Sequence, residues 1–198
     1  MGKKVVTFGE LLLRLSPAEH NRFVQADSFS AVYGGGEANT AVSLAQFGCD
    51  AKFISKLPDH EIGQAAINTL RQYGVDTTDV IRGGDRIGIY FLEKGAAQRP
   101  SKVIYDRAGS SFAAAKAEEY DWHRLLSGAS WFHITGISPA LSDEAAKASL
   151  EAVKTAREMG ITVSCDINFR RKLWDKETAG RVMEEILRYT DVYIGGRD

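Results

Sequence analysis

Long apolar runs are what this sequence most plainly lacks, and no stretch approaches the ~18 residues needed to cross a membrane as a helix. The short run after Lys3 and Lys4 is broken by Gly9, Glu10 and Arg14 before the core of a secretory signal can form. Cysteine is scarce too. Cys49 and Cys165 stand far apart with no Cys-x-x-Cys or metal spacing, which excludes a disulfide scaffold and suits free, inert thiols in a reducing compartment. Neither sign of charge predominates: 25 Lys and Arg meet 26 Asp and Glu, so there is no field to draw the chain onto nucleic acid or an anionic membrane. A cytoplasmic protein that handles small molecules is expected. With 198 residues, 44% hydrophobic and 26% charged, the chain suffices for one buried core and is not of the disordered class.

Glycine is present in quantity and in one place concentrated, in Tyr33-Gly34-Gly35-Gly36-Glu37-Ala38-Asn39-Thr40-Ala41. Three adjacent glycines cost chain entropy, yet they let backbone N–H groups approach a ligand with no Cβ in the way. The residues from Asn39 to Phe47 predict a helix stopped by Gly48. The glycines then lie at a helix N-terminus, whose free N–H groups attract polar or anionic atoms. A turn packed closely against a neighbouring element accounts for them equally well.

The rest of the chain alternates. Lys4–Phe8 reads as a strand buried on both faces of a parallel sheet, with Glu10 at its carboxyl end, where ligands gather in open α/β sheets. A surface glutamate is the alternative there. Further strands are expected at Ala51–Ser55, Trp131–Gly136, Ile161–Asp166 and Asp191–Ile194, with His133 read as a core histidine. Asp59 or His60 opens a helix with Ile62, Ala66, Thr69, Leu70 and Tyr73 inward. A second helix behind Asp143 turns Ala146, Leu150 and Val153 inward, and a third carries Val182, Ile186 and Leu187. Gln46-Phe47-Gly48, Gln72-Tyr73-Gly74 and Glu158-Met159-Gly160 each stop a helix before an extended run, the punctuation of an alternating α/β fold. Gly88–Glu93 and Lys102–Asp106 form a β-rich insertion, either a lid over the glycine loop or an extra edge hairpin. Leu11 to Ser16 and the segment around Phe23 are extended and can join it.

Chemistry concentrates in two further places. If the Ile161 strand continues, alternation puts Asp166, Asn168 and Arg170 on one side, with Trp174 following. Arg170 suits a carboxylate or phosphate, although pairing with a structural aspartate fits the spacing as well. Arg107 follows Tyr105-Asp106 and precedes Ala108-Gly109-Ser110-Ser111. Two arginines with Tyr90 and Tyr105 near a glycine loop imply an anionic, hydroxylated small molecule, the tyrosines serving equally as packing.

Taken together, Gly9-Glu10, the Gly34 to Ala41 segment, and Asp166-Ile167-Asn168-Phe169-Arg170 with Trp174 resemble the ribokinase-like, or pfkB, carbohydrate kinases along the whole chain. Within that family, Tyr90, Tyr105-Asp106-Arg107 and Arg170 are similar to the 2-keto-3-deoxygluconate kinases, whose substrate carries a carboxylate. The resemblance implies one domain over residues 1–198, incomplete at its C-terminus, with a three-layer α/β/α core and a mostly parallel sheet. Lid segments at about 11–33 and 86–108 would form a small β-sheet. It implies ATP-dependent phosphorylation of a terminal sugar hydroxyl with Mg2+, the metal ligands being unassigned. Substrate would be bound by Gly34, Gly35, Gly36, Glu37, Ala38, Asn39, Tyr90, Tyr105, Asp106, Arg107 and Arg170. Asn168, Phe169 and Arg170 would lie near the nucleotide, with Arg170 supporting catalysis. Phosphoryl transfer depends on positioning and charge stabilisation, for which arginines and glycine N–H groups are apt.

The family's Gly-Ala-Gly-Asp segment, which carries its general base, is not among the 198 residues. Its Asn and Glu near Mg2+ are not displayed by Gly195-Gly196-Arg197-Asp198 either. These residues alone are therefore expected to bind sugar weakly and not to turn it over. A sugar acid and ATP are the expected partners, with no nucleic acid or membrane, and a homo-oligomer through exposed lid strands. A fructose or ribose kinase, or a noncatalytic sugar-acid binding protein, is the alternative.

Overall fold

β1 (Lys4–Phe8) is a run of β-branched and aromatic residues without a charge after Lys4, and it takes the place such a run demands, inside a sheet. A computed structural model describes residues 3–195, so Gly196, Arg197 and Asp198 of the expected last loop lie outside the described residues. Along the chain follow β2 (Leu12–Pro17), β3 (Phe29–Gly34), α1 (Gly36–Gln46), β4 (Asp50–Ile54), β5 (Lys56–Leu57) and α2 (Glu61–Arg71). Next come β6 (Ile81–Arg82), β7 (Ile89–Glu93), β8 (Lys102–Asp106), α3 (Trp122–Leu125) and β9 (Trp131–Thr135). The described chain closes with α4 (Asp143–Glu158), β10 (Thr162–Asp166), α5 (Lys176–Leu187) and β11 (Val192–Ile194).

The main sheet has the order β11-β10-β9-β1-β4 and is parallel throughout. Its faces are covered differently. Val6 and Phe8 point into one core cluster with residues of α3, α4 and α5, where Phe8 meets the rings of Phe112, Tyr120 and Trp122 at 5.1, 5.1 and 4.9 Å. Phe53 points the other way, into a second cluster with Ala38 and Ala41 of α1 and Ala66, Ile67 and Leu70 of α2. Helices on both faces of a parallel sheet make this a three-layer α/β/α arrangement.

A second sheet, β3-β2-β7-β8, is mixed: β2 pairs antiparallel with β3 and parallel with β7, and β7 pairs antiparallel with β8. Its strands come from two excursions, one between β1 and α1 and one between β6 and α3. β5 and β6 form a short parallel pair of their own.

Several expectations about helices need correction. α1 begins at Gly36 rather than Asn39, because the Asn39 amide already bonds to the Gly35 carbonyl at 2.8 Å, so Gly36, Glu37 and Ala38 are helical. In α2, capped by His60, the buried face is Gly63, Ala66, Ile67 and Leu70, while Ile62 and Tyr73 are exposed. Gly63 on that face lies against the Pro58 carbonyl, where any Cβ would overlap, and Ala66, Ile67 and Leu70 pack in the second core cluster. In α4, capped by Ser142, the inward stripe is Ala145, Ala148, Ser149, Ala152, Val153 and Ala156, with Ala146 and Leu150 only half-buried. In α5 the buried residues are Ala179, Met183 and Ile186, with Val182 and Leu187 at the margin.

His133 is buried, its Nδ1 2.9 Å from Ser164 Oγ, and burial lowers its pKa, as suits a core histidine. Cys165 is buried with its thiol pushed up to about 12 by desolvation, and Cys49 is a half-buried free thiol. Among the described residues no helix is long and apolar enough to cross a membrane.

Candidate active site

The carboxyl ends of β1 and β9 and the segment after β10 open onto a cavity of about 620 Å³, with β2, β7 and β8 of the small sheet on its far side. This is where parallel α/β sheets present ligand-binding groups. Gly34, Gly35, Gly36, Glu37 and Asn39 line it from the glycine segment, Tyr90, Tyr105 and Arg107 from the small sheet, and Asn168, Phe169 and Arg170 from the segment after β10. Three stretches far apart in sequence therefore meet.

The glycines differ in their reasons. None of the three has a positive φ, so left-handed backbone is not what they supply. Gly35 is extended, and a Cβ there would overlap the Glu10 carbonyl oxygen, so close packing requires this glycine. Gly36 has room, its nearest neighbour for a Cβ being Thr135 Cγ2 at 3.6 Å, and Gly34 would meet Asn39 Oδ1 at 3.3 Å. Asn39 is exposed and lines the cavity, its Oδ1 accepting from the Gly35 amide at 3.5 Å.

Glu37 lines the cavity only marginally. Its carboxylate is buried, Oε1 accepting from Thr135 N at 3.2 Å, Thr135 Oγ1 at 2.8 Å and Ser138 Oγ at 2.8 Å. Burial raises its pKa and these hydrogen bonds pull it down. Glu37 thus fastens the start of α1 to the end of β9. Ala38 does not line the cavity; it is wholly buried in the second core cluster. Asp106 is not in the lining either, since its carboxylate pairs with Arg86 at 3.0 Å on the exposed side.

Glu10 is the residue whose setting the sequence left undecided. It is 4% exposed and lies in the cavity wall. Its Oε2 accepts from Arg107 Nε at 2.8 Å and from Arg107 Nη2, and its Oε1 accepts from Ser110 Oγ. Desolvation raises the Glu10 pKa, against the pull of Arg107, Ser110 and Arg86. Tyr90 and Tyr105 are register partners, their rings 5.9 Å apart, and the Arg107 guanidinium lies 5.7 Å from the Tyr105 ring centre.

β10 ends at Asp166, so the one-sided alternation of Asp166, Asn168 and Arg170 does not occur. Asn168 takes φ 38° and its amide bonds to Asp166 Oδ1 at 3.1 Å, a turn that swings Asn168 and Arg170 to the cavity by another route. Arg170, Arg171 and Lys172 are exposed and all three line the cavity. Arg171 and Lys172, together with Leu12, Val103, Ile137 and Leu173, line it without having been anticipated as site residues. The run of three cations after Phe169 was the available signal for the first two.

Because Glu10 already faces Arg107, the cations at 170–172 leave this mouth positive, which fits phosphates or carboxylates. Nucleotide phosphates therefore suit the residues present. Among the described residues no three His, Cys, Asp or Glu stand together to hold a metal, and no residue is assigned to Mg2+. A second cavity of about 710 Å³ between the segment after β10 and α5 has apolar walls from Ile167, Phe169, Trp174, Ala179, Met183 and Leu187, with Lys176, Glu184 and Arg188 also lining it. The cluster of Arg107, Arg170, Arg171 and Lys172 belongs to the first.

Sequence comparison matches residues 2–198 to the pfkB family carbohydrate kinases. The chain belongs to that family. Among its relatives, the 2-dehydro-3-deoxygalactonokinase of Haloferax volcanii is 38% identical over 98% of this chain and 61% of its own length. The 2-dehydro-3-deoxygluconokinase of Bacillus subtilis is 30% identical over 96% of this chain and 59% of its own. The crystal structure of 2-dehydro-3-deoxygluconokinase from Thermotoga maritima superposes with a TM-score of 0.96 at 55% identity, over 98% of this chain and 59% of that one. This pfkB-family chain therefore spans about three fifths of the length of these relatives.

Proposed function

We propose that this pfkB-family chain forms the acceptor-binding part of an ATP-dependent kinase for 2-keto-3-deoxygluconate (2-dehydro-3-deoxygluconate), yielding the 6-phosphate. The observation that carries the reading is the meeting of Arg107 and Arg170 in one cavity with Gly34, Gly36, Asn39, Tyr90 and Tyr105. Two arginines match the carboxylate that a sugar acid has and a neutral sugar lacks. Glycine backbone, Asn39 and the tyrosines supply hydrogen-bonding groups for its hydroxyls. Arg170, with Arg171 and Lys172 beside it, would also hold the nucleotide phosphates near Asn168 and Phe169. ATP, accompanied by Mg2+, supplies the transferred phosphoryl group. The small sheet acts as a lid, excluding water while this chain's arginines hold the acceptor. Exposed Phe29, Val32 and Ile104 on its two edge strands β3 and β8 suit a homo-oligomer, in the cytoplasm.

The Haloferax volcanii relative, named for the galactonate, favours a second acceptor, the C4 epimer. The test is ATP-dependent phosphorylation of 2-keto-3-deoxygluconate, 2-keto-3-deoxygalactonate, fructose and ribose. It uses the longest chain encoded from Met1, with the 198-residue chain beside it. Turnover of a sugar acid and not of the neutral sugars is expected from the longer chain, with none from the shorter. Preference for fructose or ribose overturns the carboxylate reading, and binding without turnover by either chain favours a sugar-acid binding protein.

A further inference from the structure

Glu10 and Arg107 come from different sheets. Glu10 follows β1 of the parallel sheet, and Arg107 follows β8 of the small one, 97 residues later. Both are nearly out of water, with side chains 3% and 10% exposed, and both belong to the cavity wall. A buried pair of this kind is poor evidence for stability, since desolvation opposes the attraction. Its geometry is informative instead. Arg107 spends the Nε–Nη2 side of its guanidinium on one oxygen of Glu10, while Ser110 Oγ holds the other oxygen. Of five guanidinium N–H groups three remain, and one on Nη1 with the second on Nη2 forms the terminal edge. That edge presents two parallel N–H groups, which can grip a carboxylate or two neighbouring oxygens as a fork. Room for the arrangement is made by Gly88, where a Cβ would fall 2.5 Å from Glu10 Oε1 and 3.2 Å from Arg107 Cβ. Arg170, in contrast, is exposed on the opposite lip.

We propose that Glu10 is a positioning residue for acceptor recognition: it fixes Arg107 by one side so that the terminal edge of the guanidinium is presented to the acceptor. This rests on the reading that the cavity takes a sugar acceptor, whichever sugar that is. Glu10 acts through Arg107 and also ties the small sheet to the main one at the cavity. Held in place beforehand, the arginine need not be ordered by the ligand, and the benefit falls on acceptor affinity.

The test is a cycle of Glu10→Gln, Arg107→Lys and the double variant in the protein from its complete reading frame, with Glu10→Asp beside it. KM and kcat are measured for the acceptor that is turned over and for ATP. Glu10→Gln is expected to raise the acceptor KM about tenfold or more while kcat and the ATP KM change by no more than about threefold. The double variant should be no worse than Arg107→Lys, because Glu10 has nothing left to position. Glu10→Asp, which keeps the charge but draws it back, should fall between wild type and Glu10→Gln, and it carries the test if Glu10→Gln does not fold. An unchanged acceptor KM in Glu10→Gln, or losses that add in the double variant, overturns the proposal. If a neutral sugar proves to be the substrate, the sugar-acid reading fails while the same cycle on that sugar still decides the role of Glu10. Without turnover, calorimetric affinities for the acceptors give the same cycle.

Discussion

The two walls of the cavity are built on opposite plans. On the glycine side, Gly35 touches the Glu10 backbone, Glu37 is buried under Thr135 and Ser138, and Glu10 is locked to Arg107. On the other side, Arg170, Arg171 and Lys172 extend from a turn after β10 into solvent. The first wall is part of the core and the second is an arm laid beside it. A substitution in the first should therefore cost stability and binding together, and one in the second binding alone.

The strongest way to break that contrast is Glu37→Ala. It leaves the Thr135 amide and hydroxyl and the Ser138 hydroxyl without their acceptor and opens a cavity, at a cost of about 3 kcal/mol or more. Chemical denaturation should show the loss, and a loss below about 1 kcal/mol would mean that the wall is less built-in than its contacts indicate. Next in size is Gly35→Ala, whose Cβ overlaps the Glu10 carbonyl, with an expected cost of about 1–3 kcal/mol. Gly36→Ala, which has room, serves as its partner and should leave the melting temperature unchanged or higher. Equal losses at both would remove close packing as the reason for Gly35.

Across the cavity, Arg170→Lys should shift stability by no more than about 0.5 kcal/mol, as exposed positions do. It should still weaken a sugar acid about tenfold, since a lysine gives no planar fork. Calorimetric titration of the acid and of fructose against both proteins would separate the effects, and equal weakening of both sugars would contradict a carboxylate role.

The smallest effect is a pH dependence. Burial raises the folded-state pKa of Glu37 above its ordinary 4.5, so the folded state keeps that proton to a higher pH than the unfolded chain does. Wild type therefore loses stability from this group as the pH rises from 4.5 through the folded-state pKa. Glu37→Gln lacks that loss. Its melting temperature relative to wild type should climb over the interval, whereas a constant difference would indicate that Glu37 is charged throughout.

Much of this organisation was legible beforehand, and the exceptions share a cause. The strands at Lys4–Phe8 and Lys102–Asp106 announce themselves by apolar and β-branched content bounded by glycine or polar residues. The Gly48, Gly74 and Gly160 stops all adopt positive φ, which is why glycine stands there. Tyr90, Tyr105, Arg107 and Arg170 do meet the glycine segment. Ala38 and Asp106 do not line the cavity, although they stand beside residues that do. Along α1, the neighbour of an exposed residue points into the core, and along β8 the neighbour of Arg107 points to Arg86. One residue of sequence is enough to change sides.

The chain's own periodicity and punctuation were sufficient for an alternating α/β fold with a β insertion, because those features depend on each residue's near neighbours. The segments that meet at the cavity were marked the same way, by clustered glycine and by arginines beside turns. Only the folded structure decided that Glu10 faces Arg107, that Gly35 rather than Gly36 is sterically required, and that Gly63 lies against the Pro58 carbonyl. Each of those depends on the order of strands in a sheet or on a carbonyl lying against a Cα, and neither is encoded in local spacing.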